Sequence, residues 1–416
     1  MTTLPAHRRV KVQMGVVRPP PPARLPPLLA MLALGDTRGE PLAPLHPDAV
    51  MKAVRDETTG ITAEQIRLSA GFDPSTIPGL NSRTPSRLRD AVRLAFAGGA
   101  EAVDLIYIRI PGALPWEIDR PELIELLTPF LEGLHETLLV VPDSAGPPRL
   151  GPTAVEAPER AWDRIARFVA QHHHGWSDRY QIALLDAPEA GGIPPVALSG
   201  DVSLCRWRGE EEGLGRHAWR SAAAAIGGML VSEGGLVVRR VDGRSMPLPP
   251  GRQILRDRRL ELGMKELYVP PPPSTYFLEL DIDSRRDHAT LLGECSLRAP
   301  TLAWPLPALR TVKSLHRRLV MAADLFTFRP VHEANAIALG LAISHVLQPF
   351  ARAGVVVGPD GRGQPRVGHD MIKDPAAPGL LATVSAQLRP WCHSVSLRVE
   401  VHAGSSSAVT LSAEAP

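Results

Sequence analysis

The last hundred residues constrain the fold most, because they predict two amphipathic helices followed by a strictly alternating strand. Apolar side chains between residues 309 and 352 recur at the three- and four-residue spacing of one helix face. Pro349 should kink or end the second helix, since its ring has no N–H for the helical hydrogen bond. The two rows are Val312, Leu315, Leu319 and Ala322, then Leu339, Ile343, Val346, Leu347 and Phe350.

Beyond these helices, the segment predicts a short strand, a glycine-rich hairpin and a final strand. Residues 353–361 hold a valine run bounded by turn residues, and Gly358–Gly363 lacks the Lys-Ser/Thr pair of a phosphate-binding loop. The final strand alternates polar residues with Val395, Leu397, Val399 and Val401. The pattern requires no catalytic group, so we interpret the segment as an assembly module whose last strand pairs with another chain.

The amino terminus carries a second alternating segment. Val10, Val12 and Met14 alternate with basic or polar residues, and four prolines at 19–22 follow. Such a proline run is a stiff, extended spacer. It predicts an arm that adds a strand to a neighbouring subunit's sheet, and a frayed tail with chance alternation remains the alternative.

The middle of the chain predicts an α/β layer. Continuous apolar strands are expected at 105–110, 138–141 and 180–185, with helices at 121–136 and 159–172 between them. Strands without polar alternation are typical of a sheet covered on both faces.

Other predicted elements flank this layer. They are a strand at 28–34, short helices at 47–55 and 62–68 in an otherwise loop-rich region, an amphipathic helix at 85–96 stopped by Gly98-Gly99, an irregular stretch at 190–215, a closely packed small-residue helix at 216–232 and a strand at 276–282.

The predicted fold class is therefore mixed α/β, with a helix-covered mixed sheet and extended terminal strand arms. We divide the chain into an arm at 1–27, the first part of the core at 28–99, an α/β domain with irregular insertions at 100–300, and a carboxy-terminal domain with a terminal strand at 301–416.

Composition excludes several classes of function. The chain has 46 basic and 44 acidic residues, which gives no global bias toward nucleic acid or membranes. Its three cysteines are far apart and odd in number, so they predict no metal site and no disulfide framework. No apolar run of about 18 residues is evident, which predicts no membrane insertion. We expect a chain made in the cytoplasm, without cofactor or metal.

Asp143 and Asp186 are the most enzyme-like residues, because each follows a predicted buried strand. Ligands of open α/β sheets bind at such strand ends. The pair predicts an alternative function as a metal-dependent hydrolase, with the carboxylates as acid and base or as Mg²⁺ ligands. Ordinary turn and helix-capping chemistry is the competing interpretation.

Several stretches together resemble the contractile tail sheath proteins of phages and phage-tail-like injection systems. They are a helix ending at Gly-Gly before a strand with terminal Arg (91–110), a Pro-Asp after a buried strand (138–143), an Asp-Arg-aromatic strand ending in Asp-x-Pro (177–188), an Ala/Gly helix (222–235), and the helix–hairpin–strand order of 309–401. Residues 26–40 also resemble the start of type VI secretion small sheath subunits. Gly213-Leu214-Gly215 replaces the Pro-Pro-Ser-Gly found before the Ala/Gly helix in phage sheaths.

The resemblance implies a structural, non-enzymatic subunit that polymerises helically around an inner tube and contracts to drive injection. Its implied partners are copies of itself, an inner tube protein, baseplate and cap proteins, and a possible sheath paralogue. It would assemble in the cytoplasm into a phage tail or injection particle. The resemblance also leaves open a baseplate or cap component related to sheaths.

Overall fold

The computed structural model describes residues 29–36, 50–56, 58–73, 86–120, 122–131, 134, 136–147, 158–177, 180–187, 202–208, 220–232, 245–247, 277–283, 288–292, 306–374, 376–389, 393–402 and 408–414. Val10, Val12, Met14 and the rest of the predicted arm lie outside these residues.

A ten-stranded mixed sheet forms the larger part of the described chain. Its strand order is β2-β3-β4-β1-β5-β6-β7-β9-β10-β8, with parallel pairing from β4 through β9 and antiparallel pairing at both ends. The strands are β1 Leu29–Gly35, β2 Val50–Asp56, β3 Ile61–Ser69, β4 Ala102–Arg109, β5 Leu138–Val141, β6 Ile182–Asp186, β7 Val202–Arg208, β8 Ser245–Pro247, β9 Phe277–Asp283 and β10 His288–Leu292.

Helices cover both faces of this large sheet, as the apolar strands predicted. Successive residues of β1 are all buried and alternate between two apolar clusters, because a strand's side chains point to opposite faces. One cluster contains helices α1 (Leu88–Gly98) and α4 (Ala222–Val231), and the other contains α2 (Glu122–Leu131) and α3 (Pro158–Ser177). The predicted α/β class is confirmed.

Helices α1 and α4 pack backbone to backbone through glycines. A Cβ at Gly98 would lie 2.7 Å from the carbonyl oxygen of Ala225, and one at Gly228 would lie 2.2 Å from that of Ala95. The small-residue helix predicted at 216–232 thus has the close contact expected of it. Gly99, at φ 107, ends α1 in the left-handed conformation where the Gly-Gly pair predicted a stop.

A second, five-stranded antiparallel sheet is built from the carboxy-terminal region. Strand β13 pairs on one edge with β11 and β12 and on the other with β14, which pairs in turn with β15. Its elements are α5 Leu306–Asp324, α6 Glu333–Arg352, β11 Val356–Val357, β12 Arg366–Ile372, β13 Gly379–Leu388, β14 His393–His402 and β15 Ala408–Glu414. Leu315, Leu319, Ile343 and Phe350 of the two predicted helix rows are buried.

The structure corrects several local predictions. The short helices expected at 47–55 and 62–68 are the strands β2 and β3, because β3 finds a ladder along eight residues of β4. The stretch expected to be irregular at 190–215 contains β7, which pairs with β6 and β9. Local propensity is weaker than such long-range pairing.

The glycine-rich segment is a tight loop and not a hairpin. Gly358 N–H donates to the carbonyl of Gly363, but β11 and β12 on either side both pair with β13 and not with each other. Pro349 lies inside the last turn of α6, which ends three residues later at Arg352. Strands β3 and β4, which lie on either side of the predicted division at residue 100, are paired neighbours in one sheet, and the division of the chain stays a prediction.

Candidate functional site

Asp143 and Asp186, the candidate catalytic pair, are buried helix caps. Asp143 accepts hydrogen bonds from the backbone N–H of Arg87 (2.8 Å) and the hydroxyl of Ser86 (2.7 Å) at the start of α1. Asp186 accepts the N–H of Ala223 (2.8 Å) and the hydroxyl of Ser221 at the start of α4. Carboxylates suit helix N-termini, where N–H groups lack partners within the helix.

The electrostatics of this pair follow from burial. Asp143 and Asp186 are only 2% and 3% exposed. Burial raises the pKa of Asp186 to about 7, although Ser221, Ala223 and Arg87 favour the charged form. Burial likewise raises the pKa of Asp143 against the opposing effect of Arg87, whose guanidinium lies 3.9 Å away.

The capping role of Asp143 and Asp186 argues against the alternative function as a metal-dependent hydrolase. The oxygen atoms of both side chains are occupied by capping hydrogen bonds. Arg87 also donates to the carbonyl of Gly146 at 2.7 Å, so its side chain ties the cap of α1 to the turn after β5. The carboxylates therefore attach α1 and α4 to the ends of β5 and β6, and the capping interpretation of these residues is the correct one.

The small sheet contains the residues predicted to join another chain. Val395, Leu397, Val399 and Val401 form the buried row of β14, while Ser396 and Arg398 between them are exposed. Both edges of β14 are hydrogen-bonded within the chain, to β13 and β15. Strand β14 is therefore interior, and the strand at the sheet's edge is β15. Pairing of β14 with another copy of the chain stays a prediction. It requires that β15 first leaves the edge of β14.

His316 of α5 connects β15 to the large sheet. Its Nε2 lies 2.9 Å from the carbonyl oxygen of Val409 in β15, and its Nδ1 lies 3.1 Å from the hydroxyl of Tyr180. The Tyr180 and His316 rings are also in contact, with centroids 5.5 Å apart. Tyr180 immediately precedes Gln181 and β6, so one imidazole joins the last strand to the large sheet.

Neighbouring residues of α5 strengthen the same connection. Arg317 pairs with Glu136 at 3.1 Å, and Lys313 donates to the carbonyl of Gln181 at 3.2 Å. Among the described residues other than glycine, Glu136 and Tyr180 alone have positive φ, 56 and 63. Such backbone typically costs about 1–2 kcal/mol for an L-residue and is held by its surroundings. Both strained residues face α5 through their side chains.

The last turn of α5, the turn that follows it, and α6 expose apolar side chains. Leu325 and Phe328 are 71% and 91% exposed, and Met321, Ile337 and Leu341 are also exposed. By length and overall composition α6 is apolar enough to cross a membrane, although polar residues interrupt it and it contains no continuous run of 18 apolar residues. Its buried face packs against α5, β12 and β13, and packing of this kind also accounts for an apolar helix.

Comparison with solved structures defines the class of fold. The chain is similar to the contracted helical sheath of the anti-feeding prophage, with TM-score 0.50, 15% identity and 84% of each chain covered. It is equally similar to a chain in the baseplate structure of the same particle, with TM-score 0.50, 14% identity and 89% of each chain covered. No protein-family model matches the sequence, and no curated protein matches it. The chain therefore has the fold of contractile sheath proteins, as the resemblance in its sequence predicted.

Sequence reasoning missed β15 and the His316 contacts. Strand β15 has a signal of its own, because Val409, Leu411 and Ala413 alternate with polar residues and Ala408. Its seven residues follow the long β14 after only five intervening residues. The joining of His316, Tyr180 and Val409 has no sequence signal, since these residues are 136 and 93 positions apart along the chain.

Proposed function

We propose that this chain is a structural subunit of a contractile sheath, which polymerises helically and contracts to drive injection. The observation that carries the proposal is the fold itself, which matches a contracted sheath over 84% of both chains. Use of the two candidate catalytic carboxylates as helix caps supports a non-enzymatic role. We further propose the inner tube, baseplate and cap proteins as partners, a possible sheath paralogue, and assembly in the cytoplasm into the particle.

Strand addition between copies would join the subunits. Strand β15 lies at the edge of its sheet and is held to β14 by main-chain pairing at seven positions. The same ladder can form with β14 of an adjacent copy, because main-chain hydrogen bonds do not depend on sequence. The predicted arm with Val10, Val12 and Met14 would add a further strand. Head-to-tail contacts of this kind generate a helix where the rotation between copies does not close into a ring.

Electron microscopy of the purified full chain, with and without a co-expressed inner tube protein, tests the proposal. We expect rods or stacked rings. Deleting residues 408–416 should abolish them, as should Thr410→Pro, which removes a ladder N–H opposite Arg398. Thr410→Ser should assemble normally. Monodisperse particles of one chain, unchanged by either the deletion or the proline, would contradict the proposal.

A baseplate component is the second candidate. The similarity to a chain of the anti-feeding prophage baseplate structure supports it, since that match covers 89% of both chains. A sheath subunit should give rods whose length grows with concentration or tube length. A baseplate component should instead give single rings of fixed subunit number, so the same micrographs distinguish the two.

A further inference from the structure

We propose that His316, oriented by Tyr180, is a positioning residue that anchors the carboxy-terminal strand on the edge of β14, whichever copy of the chain supplies that strand. The exchange between copies rests on the proposed function. The anchoring itself is carried by contacts within this chain, and it gives the acceptor copy a specific side-chain contribution to strand binding.

The hydrogen-bond chemistry fixes the direction of this contact. The carbonyl of Val409 can only accept, so the Nε2 of His316, 2.9 Å away, must carry a proton. In a neutral imidazole the Nδ1 is then an acceptor, and the Tyr180 hydroxyl at 3.1 Å is its donor. Tyr180 thus orients the ring, and the ring in turn holds the strand.

The location of the ring adds something that the β-ladder lacks. A two-stranded ladder allows shifts of two residues that keep the same face inward. The alternation of β15 offers such shifts, because Val409, Leu411 and Ala413 succeed one another at every second position. His316 lies on α5, outside the sheet, and donates to one position along β15. The carbonyl two residues away would accept the same hydrogen bond after such a shift, so His316 adds to the affinity of the slot through a contact outside the ladder and does not select the register.

Contacts of neighbouring α5 residues hold His316 in place against the large sheet. Lys313 and Arg317, three positions before and one after His316, contact Gln181 and Glu136 of the large sheet's loops. Tyr180 has its left-handed φ of 63 next to these contacts. A strand received from an adjacent copy would therefore be attached to the large sheet of the acceptor as well as to its small sheet.

Mixing of two full-length variants tests the anchor. Arg398 of β14 and Thr410 of β15 are directly paired, and both are exposed. The acceptor carries Arg398→Cys together with Thr410→Pro, which weakens its own β15 and frees the edge of β14, and the donor carries Thr410→Cys. The two should form an intermolecular disulfide under mild oxidation, and each variant alone, with one added cysteine besides the three native ones, gives the background. His316→Ala on the acceptor should slow this cross-linking about fivefold, as expected for one lost hydrogen bond.

Two controls separate anchoring from a general loss of stability. The same His316→Ala on the donor should instead speed cross-linking, because it loosens the donor's own β15 and releases that strand to the acceptor. His345→Ala on the acceptor removes an exposed histidine of α6 and should change nothing. Tyr180→Phe keeps the ring but removes the hydroxyl, so it should slow cross-linking by a smaller factor and serves if His316→Ala does not fold. Slowing by His316→Ala on the donor as well as on the acceptor, or no effect on the acceptor, would overturn the anchor.

Failure of exchange is distinguishable from failure of the anchor. If the acceptor and the donor, both with His316 retained, give no intermolecular disulfide, the proposed exchange of β15 between copies is wrong. The double variant Arg398→Cys/Thr410→Cys then reports anchoring within one chain. Faster exchange of the β15 amide hydrogens and slower intrachain disulfide formation in His316→Ala would support the anchor there, and unchanged values would refute it.

Discussion

The two sheets of this molecule bury their strands in different ways. In the large sheet the central strands β4, β1, β5, β6 and β7 are parallel and covered on both faces, with buried carboxylates fixing two of the covering helices. In the small sheet β14 has a buried row on one face and exposed residues on the other, and its neighbour β15 lies at the edge.

This difference indicates which part of the chain can change partners. A central parallel strand is connected through helices on both sides, so it cannot leave without opening the core. A short antiparallel strand at the edge of a sheet can leave at the loss of one ladder and one covered face. The large sheet is thus suited to keep its shape, and the small sheet is suited to the exchange of a strand between copies that we propose.

Gly228→Ala should give the largest effect, because it attacks the tightest contact of the large sheet's cover. The new Cβ would lie 2.2 Å from the carbonyl oxygen of Ala95 and 2.9 Å from its carbon. We expect the free energy of unfolding to fall by about 5 kcal/mol, or the chain not to fold. Gly71→Ala, which has no neighbour within 4 Å, is the matched control. Similar melting temperatures for both would show that α1 and α4 can separate easily.

Asp186→Asn should change the pH dependence of stability. The pKa of Asp186 is about 7 in the folded state, which is above its unfolded value. The protonated side chain therefore contributes its full stability below about pH 4, and this contribution is lost as the pH rises to about 7. The difference corresponds to roughly 4 kcal/mol. Asparagine does not titrate, so its curve should be flatter across this range. Asp360→Asn, at an exposed position, is the control. Parallel curves of unfolding free energy against pH for the wild type and Asp186→Asn would contradict a raised pKa of Asp186 in the folded state.

Leu397→Ala tests whether the small sheet unfolds by itself. Leu397 is fully buried in β14, and its removal should cost about 3 kcal/mol. Hydrogen exchange should accelerate in β13, β14 and β15 while the large sheet stays protected, because proteins open locally in contiguous cooperative units. Arg398→Ala, on the exposed face of the same strand, should have little effect. Equal acceleration in both sheets would show one cooperative unit.

Phe328→Ser should give the smallest effect. The side chain is 91% exposed in the turn between α5 and α6, so it contributes little to the core. We expect a change in the free energy of unfolding within about 0.5 kcal/mol, measured by chemical denaturation. A larger loss would show that this turn contributes to the stability of the small sheet in a way that its exposure does not indicate.

The elements that were predicted well are those whose signal is local. Strand β5 has the predicted bounds of 138–141, and α1 ends at its Gly-Gly stop. The buried rows of α5, α6 and β14 were also predicted, because each element displays its own period in the sequence. The competing uses of Asp143 and Asp186 were both evident, but only the partners at the starts of α1 and α4 select between them.

The periods of apolar residues were enough to predict which segments are amphipathic, where their apolar faces lie, and that the middle of the chain forms a covered sheet. The folded molecule was needed to show that β2 and β3 are strands, that β14 is interior and β15 is the edge, and that His316 meets Tyr180 and Val409. The physical reason is that periodicity is a property of neighbouring residues. Strand pairing and buried hydrogen bonds depend instead on groups that approach one another only when distant segments of the chain fold together.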